Sequence, residues 1–262
     1  METGTHGSVG EVRGIIAPID SNNFAIPHLN ILNALITDNQ TKKPSRLIGN
    51  ILSPAIELWL RSQVQQVSNL KVQIEGKSRQ ILTGNIPGVS IVASDAVYQG
   101  LHVAEIQLYS TGILIKLGQV IKGQPLKLLE KVPVTGKLQL QQADINASLR
   151  SPLLSNALTE LLLKLAPQAA DKQVRWDKVI VNDGQIRLCA TTSDRQQIIL
   201  QAGLKLSTSQ ELEIIQPTLE ISGVSLTNLD SFKVDLGAEV ELEELTLHQG
   251  KIICRGKINV LP

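Results

Sequence analysis

A chain of 262 residues that is 42% hydrophobic can bury a sizeable core, yet only 2% of it is aromatic, so its apolar content is aliphatic. Nucleic-acid platforms and protein interfaces favour aromatic rings, and a net charge of +1 gives no global pull toward polyanions, so no nucleic-acid partner is expected. Cys189 and Cys254 lie far apart, and the histidines His6, His28, His102 and His248 are scattered, which leaves no disulfide framework, no metal site and no cofactor to expect.

Residues 1–44 are rich in Gly, Ser, Thr, Asn and Pro around one apolar patch, and read as a mostly disordered lead. The lead has no basic segment followed by an apolar one, so no signal peptide is visible, and no stretch reaches the roughly 20 apolar residues of a membrane span. A cytoplasmic or membrane-peripheral location follows as the expectation.

The first strongly patterned stretch runs from Ser45 to Val67. Leu47, Ile48, Ile51, Leu52, Ile56, Leu60 and Val64 recur at helical spacing, with Ser45 as the expected cap and Pro54 as an expected bend. Beyond it the period changes to two. Leu70 to Glu75, Arg79 to Gly84, Ile86 to Ala93, Leu101 to Tyr109 and Ile113 to Leu117 read as strands with one wet and one apolar face. From Lys116 to Lys137 five lysines stand against one acid, interleaved with aliphatics. Lys122, Lys127 and Lys131 are the candidates there for contact with an anionic membrane surface, the alternative being an ordinary loop over a sheet edge.

Val134 to Gln141 is another strand, and then Ser151 to Ala166 repeats the helical pattern, with Ser151 capping and Pro152 in the first turn. Strands resume at Val179 and continue to Val260. The order helix, strands, helix, strands suggests two halves, 45–145 and 146–262, although no residue-level repeat supports it. Charge is segregated along the chain. Twelve basic residues and five acids lie between Lys42 and Lys137, whereas nine acids and only Lys233 lie between Glu211 and Glu244.

Catalytic signatures are absent: no G-x-S-x-G elbow, no phosphate loop, no H-E-x-x-H and no G-x-G-x-x-G. His102 and Glu105 are close in sequence, but residues three apart in a strand face opposite ways, so His102 reads as a surface or structural residue. Asn146-Ala-Ser spells a glycosylation sequon and matters only in a secreted protein. No enzyme is indicated, and the fold class expected is α+β, a long curved antiparallel sheet wrapped around two apolar helices.

The stretch from ILSPAIELWLRSQVQQV to HVAEIQL, the stretch KGQPLKLLEKVPVTGKLQLQQADINASLRSPLLSNALTELL and the closing VDLGAEVELEELTLHQGKIICRGKINV resemble the cyanobacterial branch of the LmeA-like proteins. The resemblance spans about residues 45 to 261 and rests on strand-and-turn texture rather than on a catalytic signature. It implies a tubular, lipid-binding-like domain over 45–262 and a non-enzymatic role in binding phospholipid or another acyl lipid. Actinobacterial members are cell-envelope proteins, and this chain departs from them in showing no export signal or lipobox cysteine. The helix stripes then offer Leu52, Ile56, Leu60, Leu154, Leu158 and Leu162 as lipid-contact candidates. The alternative function is a ligand-free structural or interaction module at a membrane or envelope assembly.

Overall fold

Alternation of apolar and polar side chains organises most of the computed structural model, which describes residues 47–117, 127–167, 172–226 and 229–262. Helix α1 (Leu47–Gln63) precedes β1 (Asn69–Glu75), the short α2 (Ser78–Leu82), the long hairpin β2 (Asn85–Tyr98) and β3 (Leu101–Leu114), and β4 (Val132–Gln141). Two helices follow, α3 (Gln142–Ser148) and α4 (Pro152–Leu165). Strands β5 (Val174–Asn182), β6 (Gln185–Thr192), β7 (Gln197–Thr208), β8 (Glu211–Ile221), β9 (Val224–Leu226) and β10 (Phe232–Asp235) come next, and β11 (Val240–His248) and β12 (Lys251–Val260) end the chain.

The architecture is α+β and antiparallel throughout, and its strands divide between two open six-stranded sheets. The first has the order β1-β2-β3-β4-β12-β11; the second runs β10-β8-β7-β6-β5, with β9 also on β8. Because β12 pairs with β4 from Lys251↔Gln141 to Val260↔Val132, the C-terminal hairpin returns to the sheet begun by the N-terminal strands. Helix α1 continues through Pro54 and packs on β1; the expected cap at Ser45 lies outside the described residues. The cap of α4 is present, Ser151 Oγ accepting the Leu154 N–H at 3.2 Å.

Local structure differs from the strand pattern at Arg79 to Gly84, where the chain forms α2 instead. The Gln80 side chain accepts the Lys77 N–H at 3.1 Å, and Ile81, fully buried, anchors the single turn. Ile113 and Leu114 belong to the same strand as Leu101, so two expected strands are one.

The main core lies between α4 and one face of the second sheet. Val179, Leu188, Leu200 and Leu219 stand in one cross-strand row, and all are 0–2% exposed. Leu162 of α4 is fully buried against them, and Trp176 is buried there too, its indole N–H donating to Thr159 Oγ1 at 3.1 Å. Leu247 and Ile252 bring the first sheet into the same core.

The edge strand of the second sheet, β5, is closed by side-chain amides of α3. Asn146 Oδ1 accepts the Val179 N–H at 2.7 Å, and Asn146 Nδ2 donates to the carbonyls of Val179 (3.0 Å) and Gln142 (2.7 Å). Gln142 Oε1 accepts the Val181 N–H at 2.9 Å, and Gly250 N–H donates to the Val181 carbonyl at 3.0 Å. Asn146→Ala removes three of these bonds and leaves backbone groups of β5 unpaired, so it should cost about 2–4 kcal/mol in urea unfolding. Asn146→Asp, which keeps the acceptor and loses both donors, should be similarly destabilising at neutral pH.

Candidate functional site

Each sheet has one apolar face, and the two faces are covered differently. That of the second sheet is sealed by α4. On the first sheet, strand register sets Leu70, Ala93, Ile106, Leu138, Cys254 and Leu245 in one row. The adjoining row is Val72, Ile91, Leu108, Gly136, Gly256 and Leu242, and the next is Ile74, Val89, Ser110, Val134, Ile258 and Val240. The opposite face is wet, with Lys71, Gln73, Gln107, Lys137, Gln139 and Lys257.

The ends of this apolar face are closed. Leu140, Leu245, Leu247 and Ile252 pack into the main core, while Ile74 and Val89 pack with Ile86, Ile115 and Leu117. Its middle stays partly exposed at Ile91, Ile106, Leu108, Val134, Leu138 and Ile258, and among the described residues none of these joins a buried cluster. Helix α1 packs along the edge strand β1, with Glu57 Oε1 accepting the Val72 N–H at 2.8 Å. The middle surface carries no ring and almost no polar atom; the one hydroxyl in its rows, Ser110 Oγ, is spent on the Pro133 carbonyl at 2.8 Å.

Two paired glycines interrupt the aliphatic rows. A Cβ on Gly256 would sit 2.3 Å from the Glu241 carbonyl oxygen, because β11 bulges between Leu242 and Glu244 and its backbone comes close. At Gly136 the space is used by Leu108, whose Cδ2 lies 3.0 Å from where a Cβ would be. Burial on this face, helped by the carboxylate of Glu244, pushes the Cys254 thiol up to about 11.

The sequence-derived lipid candidates are placed as follows. Leu52, Ile56 and Leu60 of α1 are partly exposed; Leu154 and Leu158 of α4 are partly buried against the main core, and Leu162 lies fully inside it. Sequence reasoning points to an apolar sheet face but names none of the strand aliphatics of the first sheet, since alternation marks a face but not what covers it. Of the lysines, Lys122 lies outside the described residues, Lys127 is exposed, and Lys131 is exposed and pairs with Glu239 at 3.0 Å. Backbone bonds from Ile115 to Gly84, from Lys116 to Lys127 and from Leu129 to Leu114 gather α2, the end of β3 and residues 127–131 into one tip. That tip exposes Leu82 (52%) and Leu129 (46%) beside Lys77, Arg79, Lys116 and Lys127.

Among the described residues no group of three His, Cys, Asp or Glu side chains could hold a metal, and no helix is long and apolar enough to cross a membrane. A family model described as LmeA-like phospholipid-binding matches residues 44–257. None of the curated proteins and none of the solved structures matches the chain significantly.

The Cys254 environment can be checked directly. Thiol reagents attack the thiolate, and a shift from 9.0 to about 11 lowers its population about 100-fold. In a Cys189→Ser background, labelling of the native chain at pH 8 should therefore be about 100-fold slower than that of an ordinary thiol, and should recover in denaturant.

Proposed function

The chain belongs to the LmeA-like phospholipid-binding family, and we propose that it holds the acyl part of its lipid along the partly exposed middle of the first sheet. The observation that carries this is the contrast between the two sheets. One apolar face is sealed to 0–2% exposure at its centre, and the other keeps six aliphatic side chains partly open. Exposed apolar area is unfavourable by about 25 cal/mol per Å², so an open aliphatic face in a chain able to build a closed core has the chemistry of a binding surface. Aliphatic walls suit a flexible hydrocarbon chain, in which each methylene transferred from water contributes about 0.8 kcal/mol. Of the helix candidates, Leu52, Ile56 and Leu60 are assigned to the rim of this surface because α1 packs on its edge strand β1, whereas Leu154, Leu158 and Leu162 pack with the main core. The function is binding rather than catalysis.

Loading takes place at a membrane surface, through the tip formed by α2 and residues 127–131. Leucines 82 and 129 are suited to the apolar side of a bilayer interface, while the surrounding ammonium and guanidinium groups meet anionic headgroups at roughly 1 kcal/mol each. Lys127 and Lys116 are assigned to this contact, whereas Lys131 is shared with Glu239 and Lys122 lies outside the described residues.

Two experiments test these assignments. Lipid extraction and mass spectrometry of the purified full chain should find acyl lipid, and Leu138→Trp or Ile56→Trp should reduce its occupancy severalfold while the melting temperature changes little, because an open face has room that a sealed core lacks. Unchanged occupancy in both variants would move the acyl site elsewhere. Separately, vesicles containing anionic lipid should bind the chain in low salt and release it in high salt. Lys116→Glu with Lys127→Glu should abolish that binding without altering stability; equal binding to neutral vesicles would remove the tip from the mechanism.

A further inference from the structure

At the far end of the β2–β3 hairpin from the basic tip, the chain forms an open cleft of about 690 Å³ with a mixed polar and apolar lining. Gln65 from the end of α1, Gln99 and His102 from the hairpin, and Arg150, Ser151 and Pro152 from the α3–α4 junction line it, and none of its lining residues is acidic. Among the described residues, neither the Arg150 guanidinium nor the His102 imidazole makes a hydrogen bond or ion pair. The scaffold around them is tightly fixed. The Gly100 N–H donates to Gln65 Oε1 at 2.7 Å, the His102 N–H donates to Ser148 Oγ at 2.8 Å, and a Cβ on Gly100 (φ +78°) would lie 2.9 Å from Ser151 Cβ. The N-terminal end of the 14-residue α4 also faces this region, adding the positive end of its dipole.

Strand parity connects the cleft to the apolar surface. His102, Ala104, Ile106 and Leu108 alternate along one face of β3, so the wall that is aliphatic at Leu108 and Ile106 ends at an imidazole in the cleft that Arg150 also lines. Resting on the acyl reading above, we propose that this cleft takes the phosphate of the bound lipid, with Arg150 and His102 as its hydrogen-bonding partners. Arginine is permanently charged and offers a planar fork of donors matched to phosphate oxygens. A cleft without carboxylates imposes no opposing charge.

The test separates phosphate from hydrocarbon by holding the acyl chains constant. Delipidated full chain is offered dioleoyl phosphatidylglycerol, dioleoylglycerol or glycerol 3-phosphate, and the ligand retained is quantified. Wild type should retain the phospholipid at least about tenfold better than the diacylglycerol, as expected for one charge-assisted interaction. Arg150→Gln with His102→Gln should bring the phospholipid down to the diacylglycerol level, leave diacylglycerol retention unchanged and preserve the melting temperature; Arg150→Lys should recover part of the difference. Arg150-dependent binding of glycerol 3-phosphate without uptake of either lipid would keep the phosphate site, assign it to a soluble ester and overturn the acyl reading and the headgroup assignment. Equal phospholipid retention in wild type and the double variant, a parallel fall for both lipids, or no ligand that depends on these two residues overturns the proposal.

Discussion

Two antiparallel sheets can share one chain only if the backbone groups along their facing edges find partners, since an open edge invites aggregation and a buried unpaired amide is costly. Here the partners are the side-chain amides of Asn146 and Gln142, which present an acceptor–donor pattern to β5 much as a neighbouring strand would. Gly250, in the turn between β11 and β12, supplies one more bond to the same edge. Helix α3 is thus a seam, and the rest of the arrangement follows from it. It sets where α4 begins, which face of the second sheet α4 covers, and which end of the first sheet is drawn into the common core. The first sheet's own edge is treated alike, with Glu57 from α1 satisfying the Val72 amide.

Once the seam is made, the main core among the described residues takes the apolar face of the second sheet and only one end of that of the first. Helix α4 packs its leucines on the second sheet and α1 lies along β1, so among the described residues the middle of the first sheet joins no buried cluster. Close-packed interiors leave no room for a ligand without displacing side chains, whereas a partly open face does. Fold and function are therefore coupled through the allocation of helix surface. The same leucine-rich pattern that resembles a greasy lining in α4 is, at Leu162, ordinary core.

Much of this was readable from the residues, and the remainder failed for identifiable reasons. The long helices announce themselves by period, α4 even by its cap, and the strand faces by alternation. The turn of α2 did not, because Arg79, Gln80, Ile81 and Leu82 are held by a few local hydrogen bonds and one buried isoleucine rather than by a repeated pattern. Nor did α3, whose seven residues are too few to show a period. Alternation fixes which side chains share a face but says nothing about which strands share a sheet; the pairing of β12 with β4 joins residues more than a hundred positions apart. Asn146, which by spelling is a sequon, is in the fold a backbone mimic with no free amide. His102 reads as structural in the sequence because Arg150, which lines the same cleft, lies 48 residues away and is brought there by the α3–α4 junction.

The dimensions of the open surface bear on how selectivity could arise. Along β4 it extends from Val134 to Leu138, about 13 Å at the rise of an extended strand. One leaflet of a bilayer's hydrocarbon is about 15 Å deep, half of a roughly 30 Å core. An acyl chain laid along the strands would fill this length and continue toward His102, where the wall turns polar. Branched aliphatic side chains make no directional bonds, so such a surface distinguishes poorly between hydrocarbon chains: adding or removing a methylene changes binding only by about 0.8 kcal/mol. Hydrogen-bonding sites discriminate more sharply, because the wrong ligand leaves desolvated donors unpaired. On the proposed arrangement, affinity comes from the aliphatic middle of the first sheet. Choice between lipids rests with the few polar groups at the α3–α4 junction, held in place by the same seam that joins the two sheets.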